Sequence, residues 1–70
     1  MNYHTYVWSF LKDEYDRRGT DFYFKTKKLE RQTGISKYIL GRVVMQLNCV
    51  EVVNRNTHSA STFKTSFGKL

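Results

Sequence analysis

The chain has 70 residues, of which 40% are hydrophobic and 16% aromatic, and it carries a net charge of +6. This length predicts one domain, residues 1–70, with a core of modest size. The one cysteine, Cys49, excludes an internal disulfide, and the sequence has neither an apolar run of membrane-spanning length nor a signal-peptide pattern. We therefore expect a soluble protein of a reducing compartment, the cytoplasm.

The first predicted element is an amphipathic helix over residues 5–18, TYVWSFLKDEYDRR. Thr5 is an acceptable N-cap, and an apolar stripe at four-residue steps includes Leu11 and Tyr15. Gly19 suits the position just past the helix, where a left-handed backbone is common. The pattern is typical of a helix that packs one face on a core.

A short strand is expected over residues 22–25, because this aromatic-rich run is bounded by polar residues and is too short for a helix. Helical character returns over residues 26–33, where Thr26 is the candidate cap and Leu29 the inward anchor. Gly34 ends this second helix, since glycine tolerates the left-handed conformation of a tight exit.

A third helix is predicted over residues 36–47. Ser36 is expected to cap it by accepting a hydrogen bond from an amide of the first turn, and Ile35 to enter the core across the turn. The apolar residues of one face recur at steps of four and three: Leu40, Val44 and Leu47. Gly41 either permits close approach of a neighbouring backbone or is incidental, at a cost of about 1 kcal/mol relative to alanine.

After the third helix the apolar period becomes strand-like, and residues 50–67 predict a β-hairpin. Its strands are the β-rich runs VEVV and TFKTSF, and the polar residues 54–61 form its tip. Three helices, a short strand after the first helix and a C-terminal hairpin give an α+β fold.

The positive charge is concentrated in the middle of the chain. Residues 1–24 hold three cations and four acids, residues 25–46 hold six cations and one acid, and residues 47–70 hold three cations and one acid. The net charges of the three segments are therefore −1, +5 and +2. Uneven charge of this kind indicates a polyanionic partner such as nucleic acid, with a solvated basic face that aids solubility as an equally weighted alternative.

Residues 26–47, TKKLERQTGISKYILGRVVMQL, resemble the winged helix-turn-helix family of DNA-binding domains. The family pattern has a capping Thr or Ser, a leucine, a Gly-aliphatic-Ser turn, an aliphatic residue four positions later, an arginine and a closing leucine. The residues that fill it are Thr26, Leu29, Gly34, Ile35, Ser36, Leu40, Arg42, Val44 and Leu47. The similarity in layout extends from about Thr5 to Phe67, and the runs FYFKTKKL and TFKTSF are similar to those of small archaeal and archaeal-virus members.

Two positions depart from the family pattern. Glu30 stands where a small residue commonly packs between the helices, and Thr33 stands where an aliphatic residue is usual. We expect either a slightly rotated second helix or looser packing between the second and third helices.

The resemblance implies that the third helix enters the major groove of duplex DNA and that the wing tip, residues 54–61, contacts the flanking backbone or the minor groove. The contacts implied for the recognition helix are Ser36, Lys37, Tyr38, Gly41, Arg42 and Gln46. Those implied for the DNA backbone are Lys25, Lys27, Lys28 and Arg31. Those implied for the wing are Asn54, Arg55, Asn56 and His58.

Arg42 is the first candidate for base readout, since a guanidinium pairs bidentately with guanine. Lys37 is placed to reach a base or a phosphate. Tyr38 either contacts the sugar-phosphate backbone or packs as a rim aromatic on the second helix, and Ser36 is foremost a cap. The wing tip has the alternative of a polar loop without a DNA contact.

Other chemistry finds little support in the sequence. His4, Cys49 and His58 lack metal-ligand spacing, and no phosphate-binding glycine loop is present. Cys49 is expected to be a small core residue rather than a nucleophile. We predict neither an enzyme nor a bound metal, cofactor or small-molecule ligand.

The aromatic residues near the start exceed what one face of a helix buries: Tyr3, Tyr6, Trp8 and Phe10. A monomer–dimer equilibrium, with a homodimer formed through the first helix, is therefore expected, and the alternative is that Tyr6 and Trp8 close the core against the wing. The predicted function is that of a transcriptional regulator that binds specific duplex DNA sequences. Two alternatives stay open: a winged-helix protein-interaction module and a non-specific nucleic-acid-coating protein.

Overall fold

The computed structural model describes residues 2–54 and 61–69. Its elements in chain order are α1 (Tyr3–Arg18), β1 (Tyr23–Lys25), α2 (Thr26–Thr33), α3 (Lys37–Met45), β2 (Val50–Asn54), β3 (Thr62–Thr65) and a 3-10 turn, η1 (Phe67–Lys69). The three α-helices and the three-stranded antiparallel sheet confirm the α+β class.

The first helix begins before the predicted cap. The Asn2 side chain accepts a hydrogen bond from the Thr5 amide at 3.3 Å, so α1 starts at Tyr3, and the prediction of Thr5 as the cap is wrong. Asparagine is a stronger N-cap than threonine, which accounts for the earlier start. At the other end Gly19 adopts φ 76°, and its amide donates to the Tyr15 carbonyl at 2.7 Å, which confirms the predicted exit.

Two other helix ends differ from their predictions. Thr26 is the first residue of α2 rather than its cap, and Lys25 in the cap position makes no side-chain capping bond. The third helix ends at Met45 rather than at residue 47. The amides of Gln46 and Leu47 donate to carbonyls only three residues back, at 3.0 and 3.2 Å, so the chain tightens and leaves the α-helical path.

The sheet has the order β1-β3-β2, with both neighbours antiparallel to β3. Phe24 of β1 lies opposite Phe63 of β3, and both side chains are buried. On the other side Val52 pairs with Phe63, and a bulge follows between Val52 and Asn54. The last strand therefore lies in the middle of the sheet.

One core is formed between the inner face of the sheet and the three helices. Its buried members are Val7, Leu11, Phe22, Phe24, Leu29, Ile35, Leu40, Val43, Val44, Cys49, Phe63 and Phe67. Burial of Ile35 and Cys49 confirms their predicted places in the core. Phe24 and Phe63 stack at 5.6 Å between ring centroids, which extends aromatic contact across the central strand pair.

A hydrogen-bond cluster around the half-buried Asp21 ends β3 earlier than the sequence pattern predicts. The Asp21 carboxylate accepts hydrogen bonds from the Thr65 hydroxyl at 2.9 Å, the Phe67 amide at 2.8 Å and the Gly68 amide at 3.1 Å. These amides turn toward Asp21 and form η1, whereas residues 62–67 were predicted as one strand. Partial burial raises the pKa of Asp21, but the three hydrogen bonds and the charge of Lys64 outweigh it and hold the pKa below its ordinary value of 3.8.

The turn η1 packs against α1 through an aromatic side chain. Phe67 is buried, with its ring centroid 5.6 Å from that of Trp8 in an edge-to-face arrangement and 5.3 Å from that of Tyr15. Trp8 therefore has an aromatic partner within the chain, as the alternative to a dimer contact predicts, while 36% of the residue stays exposed.

Candidate nucleic-acid interface

The turn between α2 and α3 is closed by backbone and hydroxyl hydrogen bonds. Gly34 adopts φ 76° and donates its amide to the Glu30 carbonyl at 2.8 Å. The Thr33 hydroxyl donates to the Leu29 carbonyl at 2.8 Å and accepts from the Ile35 amide at 3.2 Å. A threonine at this position thus satisfies two backbone groups of the turn, which an aliphatic side chain cannot do.

Glu30, the other departure from the family pattern, caps the third helix. Its Oε2 accepts a hydrogen bond from the Lys37 amide at 2.7 Å, while Ser36 Oγ accepts from the Tyr38 amide at 3.3 Å. Two of the amides at the start of α3 that lack a partner within the helix are therefore hydrogen-bonded, one to Glu30 and one to Ser36. The predicted capping role of Ser36 is confirmed, and Glu30 ties α2 to α3.

The outer face of α3 lies opposite its buried face of Leu40, Val43 and Val44. At helical spacing the outermost positions are Tyr38, Arg42 and Met45, and all three side chains are exposed. Tyr38 is 76% exposed, so it does not pack as a rim aromatic on α2. Lys37 is also exposed, and its Nζ lies 5.5 Å from the centroid of the Tyr38 ring.

Two of the predicted residues of this helix have particular surroundings. Gly41 is half-buried, yet a Cβ added to it would meet no heavy atom of residues 2–54 and 61–69 within 4 Å, so no backbone in this part of the chain approaches it. Gln46 lies at the end of α3 and is exposed, and its side-chain oxygen is hydrogen-bonded to Nε2 of His4 in α1. Ser36 and Gln46 thus mark the two ends of the exposed face.

A second group of exposed cations lies on β1 and α2. Lys25 ends β1, and Lys27, Lys28 and Arg31 lie on the outer side of α2, opposite the buried Thr26 and Leu29. All four are exposed.

The cations of residues 25–46 differ from the other cations in their pairing. The ion pairs of the described part of the chain join Lys12 to Asp16, Arg17 and Arg18 to Glu14, and Lys69 to Glu51. No described residue forms an ion pair with any of the six cations of residues 25–46, whose net charge is +5. The middle of the chain therefore keeps its positive charge uncompensated at short range.

The predicted wing residues are only partly described. Asn54 ends β2 and is exposed, whereas Arg55, Asn56 and His58 lie outside the described residues. Strands β2 and β3 pair up to Asn54 and Thr62, so the predicted tip begins where the described pairing stops.

Two exposed features were missed by the sequence reasoning. Met45, 46% exposed, completes the outer line of α3, and the spacing of Tyr38, Arg42 and Met45 would have revealed it. On the outer face of the sheet Lys64 Nζ lies 5.3 Å from the centroid of the Tyr23 ring, a contact set by the pairing of those two residues across β1 and β3. The register that creates this second contact cannot be read from local pattern.

Groups suited to other chemistry are few within residues 2–54 and 61–69. No cluster of three or more His, Cys, Asp or Glu side chains is placed to hold a metal ion there. Burial raises the pKa of the Cys49 thiol, and the nearby charge of Asp21 raises it further. None of the described helices has the length and apolar character needed to cross a membrane.

Comparisons with protein-family models, with curated proteins and with solved structures find no match to this chain.

Proposed function

We propose that this chain is a winged helix-turn-helix protein that binds specific sequences of duplex DNA and acts as a transcriptional regulator. In this proposal α2 and α3 are the helix-turn-helix, α3 is the recognition helix, and β2, β3 and the residues between them are the wing. The observation that carries it is the outer face of α3, where Lys37 and Arg42 are exposed and make no ion pair with any described residue.

The dimensions and the chemistry of α3 suit a major groove. A helix with its side chains is about 10–12 Å across, and the major groove of B-DNA is about 12 Å wide. Arg42 on the outermost line is assigned to guanine, and Lys37 at the start of the helix to a base or a phosphate. Tyr38 and Gly41 are assigned to the same surface, with Ser36 and Gln46 at its two ends.

The cations of β1 and α2 are assigned to the DNA backbone. Lys25, Lys27, Lys28 and Arg31 are exposed on β1 and α2, and phosphate contacts of such cations position a protein on DNA without reading its sequence. Each phosphate that they neutralise makes the slope of log affinity against log salt concentration more negative by about 0.9. Four such contacts give a slope of about −3 to −4, before any contribution of α3 or the wing.

The wing is assigned to the flanking DNA. Asn54 begins this segment at the end of β2, and Arg55, Asn56 and His58 follow in the sequence. Their contacts are proposed for the backbone or the minor groove adjoining the site of α3.

Competition binding separates this proposal from its two alternatives. A binding site is first selected from a random pool of duplex DNA. A labelled duplex that carries this site is then challenged with random duplex DNA at two salt concentrations. A regulator keeps its preference for the site as salt rises, because base contacts do not depend on counterion release. A coating protein loses its binding at the higher salt without having shown a preference, and a protein-interaction module binds at neither concentration.

Selection of bound sequences from a random duplex pool tests the assigned residues. Arg42→Ala is expected to relax the preference at one base position, at a cost of about 1–3 kcal/mol for the bidentate contact. Arg31→Ala removes the same charge and is expected to weaken all sequences about equally. Arg17→Ala, on α1 and paired with Glu14, is the control outside the interface. An unchanged motif with Arg42→Ala would overturn the assignment of base readout.

A homodimer through α1 is part of the proposal. Tyr3 and Tyr6 are 40% and 38% exposed on this helix, close to Trp8, and two-fold binding sites are typical of dimeric regulators. Sedimentation equilibrium is expected to show a dimer that Tyr6→Ser weakens. A monomer at all concentrations, with one half-site selected, would remove the dimer from the proposal. The proposal places the protein in the cytoplasm and includes no catalytic step, metal or cofactor.

A further inference from the structure

The third helix contains a glycine that the packing of the chain does not require. Gly41 lies in the middle of α3, where glycine weakens a helix relative to alanine. Its backbone is not left-handed, since Gly19 and Gly34 are the described residues with positive φ. An added Cβ would meet no heavy atom of the described residues within 4 Å. Neither backbone conformation nor close packing within the described chain accounts for it.

The neighbours of Gly41 turn its missing side chain into a recess on the outer surface. Residues three and four positions apart are adjacent on a helix, so Lys37 and Tyr38 lie one turn before Gly41 and Met45 lies one turn after it. Tyr38 is 76% exposed and Met45 is 46% exposed. The recess formed by Gly41 is thus flanked along the helix by Tyr38 and Met45, with helix backbone beneath it.

We infer that the recess formed by Gly41 between Tyr38 and Met45 binds the C5-methyl group of a thymine in the major groove. This inference rests on the proposed function and names the base chemistry that it reads. The methyl group is the apolar feature that distinguishes thymine at the groove surface. A recess that has room for one added carbon atom, flanked by an aromatic and a thioether side chain, is suited to a group of that size.

The surrounding charge favours nucleic acid over a protein as the occupant. The recess lies within residues 25–46, which carry a net charge of +5, and Lys37 stands at its edge. A protein partner that inserted an apolar side chain here would need an acidic rim, whereas DNA supplies phosphates on both sides of the groove. Arg42, next to Tyr38 and Met45 on the helix surface, then reads a guanine near the thymine.

The test replaces thymine by uracil, which differs only by lacking the C5-methyl group. The selected duplex is remade with a single uracil at each thymine position in turn, and its affinity for the full chain is measured. One position close to the Arg42-dependent guanine is expected to lose about fourfold, the equivalent of about 0.8 kcal/mol for one buried methyl group. In a second comparison the same position carries either cytosine or 5-methylcytosine. The duplex with 5-methylcytosine is expected to bind more tightly, because it again presents a methyl group to the recess.

The variant Gly41→Ala fills the recess and separates binding from folding. Because the added Cβ meets no atom, the variant is expected to melt higher, by up to about 4–8 °C for a chain of this size. It is expected to bind the thymine and uracil duplexes with equal affinity. Ser9→Ala, on the exposed side of α1, is the matched control that favours helix formation without touching α3.

The outcomes distinguish this inference from the proposed function. Specific, Arg42-dependent binding with no difference between thymine and uracil overturns the methyl site and leaves the proposed function standing. A thymine preference that persists in Gly41→Ala, or a lower melting temperature of that variant, also overturns the inference. Absence of any DNA binding, with a protein bound through Tyr38 and Met45 instead, overturns both.

Discussion

Replacement of Glu30 is expected to weaken the fold, although glutamate at this position departs from the family pattern. The Glu30 carboxylate accepts the Lys37 amide at 2.7 Å, seven residues along the chain, and so bonds the start of α3 from the side of α2. The amides at a helix start also carry the positive end of the helix dipole, which a carboxylate stabilises. Removing the side chain leaves this amide without its partner within the chain.

The size of the effect follows from measured cap replacements. Loss of a side-chain cap costs about 0.5–2 kcal/mol, typically about 1, and alanine returns a few tenths through its higher helix propensity. We therefore expect Glu30→Ala to lower the free energy of unfolding by about 1 kcal/mol. Glu30→Gln keeps an acceptor oxygen without the charge and is expected to lose about half as much.

Urea unfolding measures this change, with the fluorescence of Trp8, the single tryptophan of the chain, as the signal. With a urea dependence of about 1 kcal/mol per molar for so small a protein, the midpoint of Glu30→Ala falls by about 1 M. Glu51→Ala is the matched control, since it removes the same charge from an exposed pair with Lys69. Equal losses in the two variants would show that charge, and not the cap, is responsible, and would refute the reasoning.

Three further changes test other parts of the structure. Because the pKa of Asp21 is lower in the folded than in the unfolded chain, its stabilisation is full above the ordinary value of 3.8 and is lost as the pH falls through the lower folded value. Asp21→Asn should therefore unfold more easily at neutral pH and converge with the wild-type chain in acid, as measured by thermal unfolding; parallel curves would contradict this. Cys49 is fully buried with a raised pKa, so a thiol reagent should modify it at the rate of unfolding, and rapid modification of the folded chain would be inconsistent with the structure. Leu40→Ala empties a fully buried position and should lower the free energy of unfolding by about 2–5 kcal/mol. Circular dichroism should then show that much of so small a domain is unfolded, whereas a loss below about 1 kcal/mol would indicate a loosely packed core.

Local sequence patterns predicted the elements that local chemistry determines. Gly19 and Gly34 end their helices with the left-handed conformation that glycine adopts easily, and Ser36 caps α3 as its position indicates. Burial of Ile35 followed from its place between two amphipathic helices. Each of these predictions depends on neighbours within a few residues.

The predictions that failed depend on partners distant in the sequence. The run of residues 62–67 alternates like a strand to its end, but Asp21 binds two amides after Thr65 and bends the chain into η1. The capping role of Glu30 was not predicted, because the amide that it caps lies in another helix. The start of α1 is a different case, since Asn2 was available as the stronger cap and was overlooked.

For the candidate interface, the family resemblance implied that Lys37, Tyr38 and Arg42 share one face, and the structure shows all three exposed and adds Met45 to them. The sequence pattern could not show the hydrogen bond between Gln46 and His4, because α1 and the end of α3 are brought together only by the core. The empty space beside Gly41 was equally hidden, since it depends on what does not pack against α3.

The central place of β3 has a consequence for the order in which the chain acquires its structure. The first strand is made before its hydrogen-bonding partner, Thr62–Thr65, because α2, α3 and β2 lie between the two in the chain. Helical turns form within the growing chain, whereas Phe22 and Phe24 must wait for Phe63 before they have a sheet to cover. Neither β1 nor β2 has a strand partner until β3 is made, so one strand joins the two parts of the sheet and covers the aromatic side chains of β1.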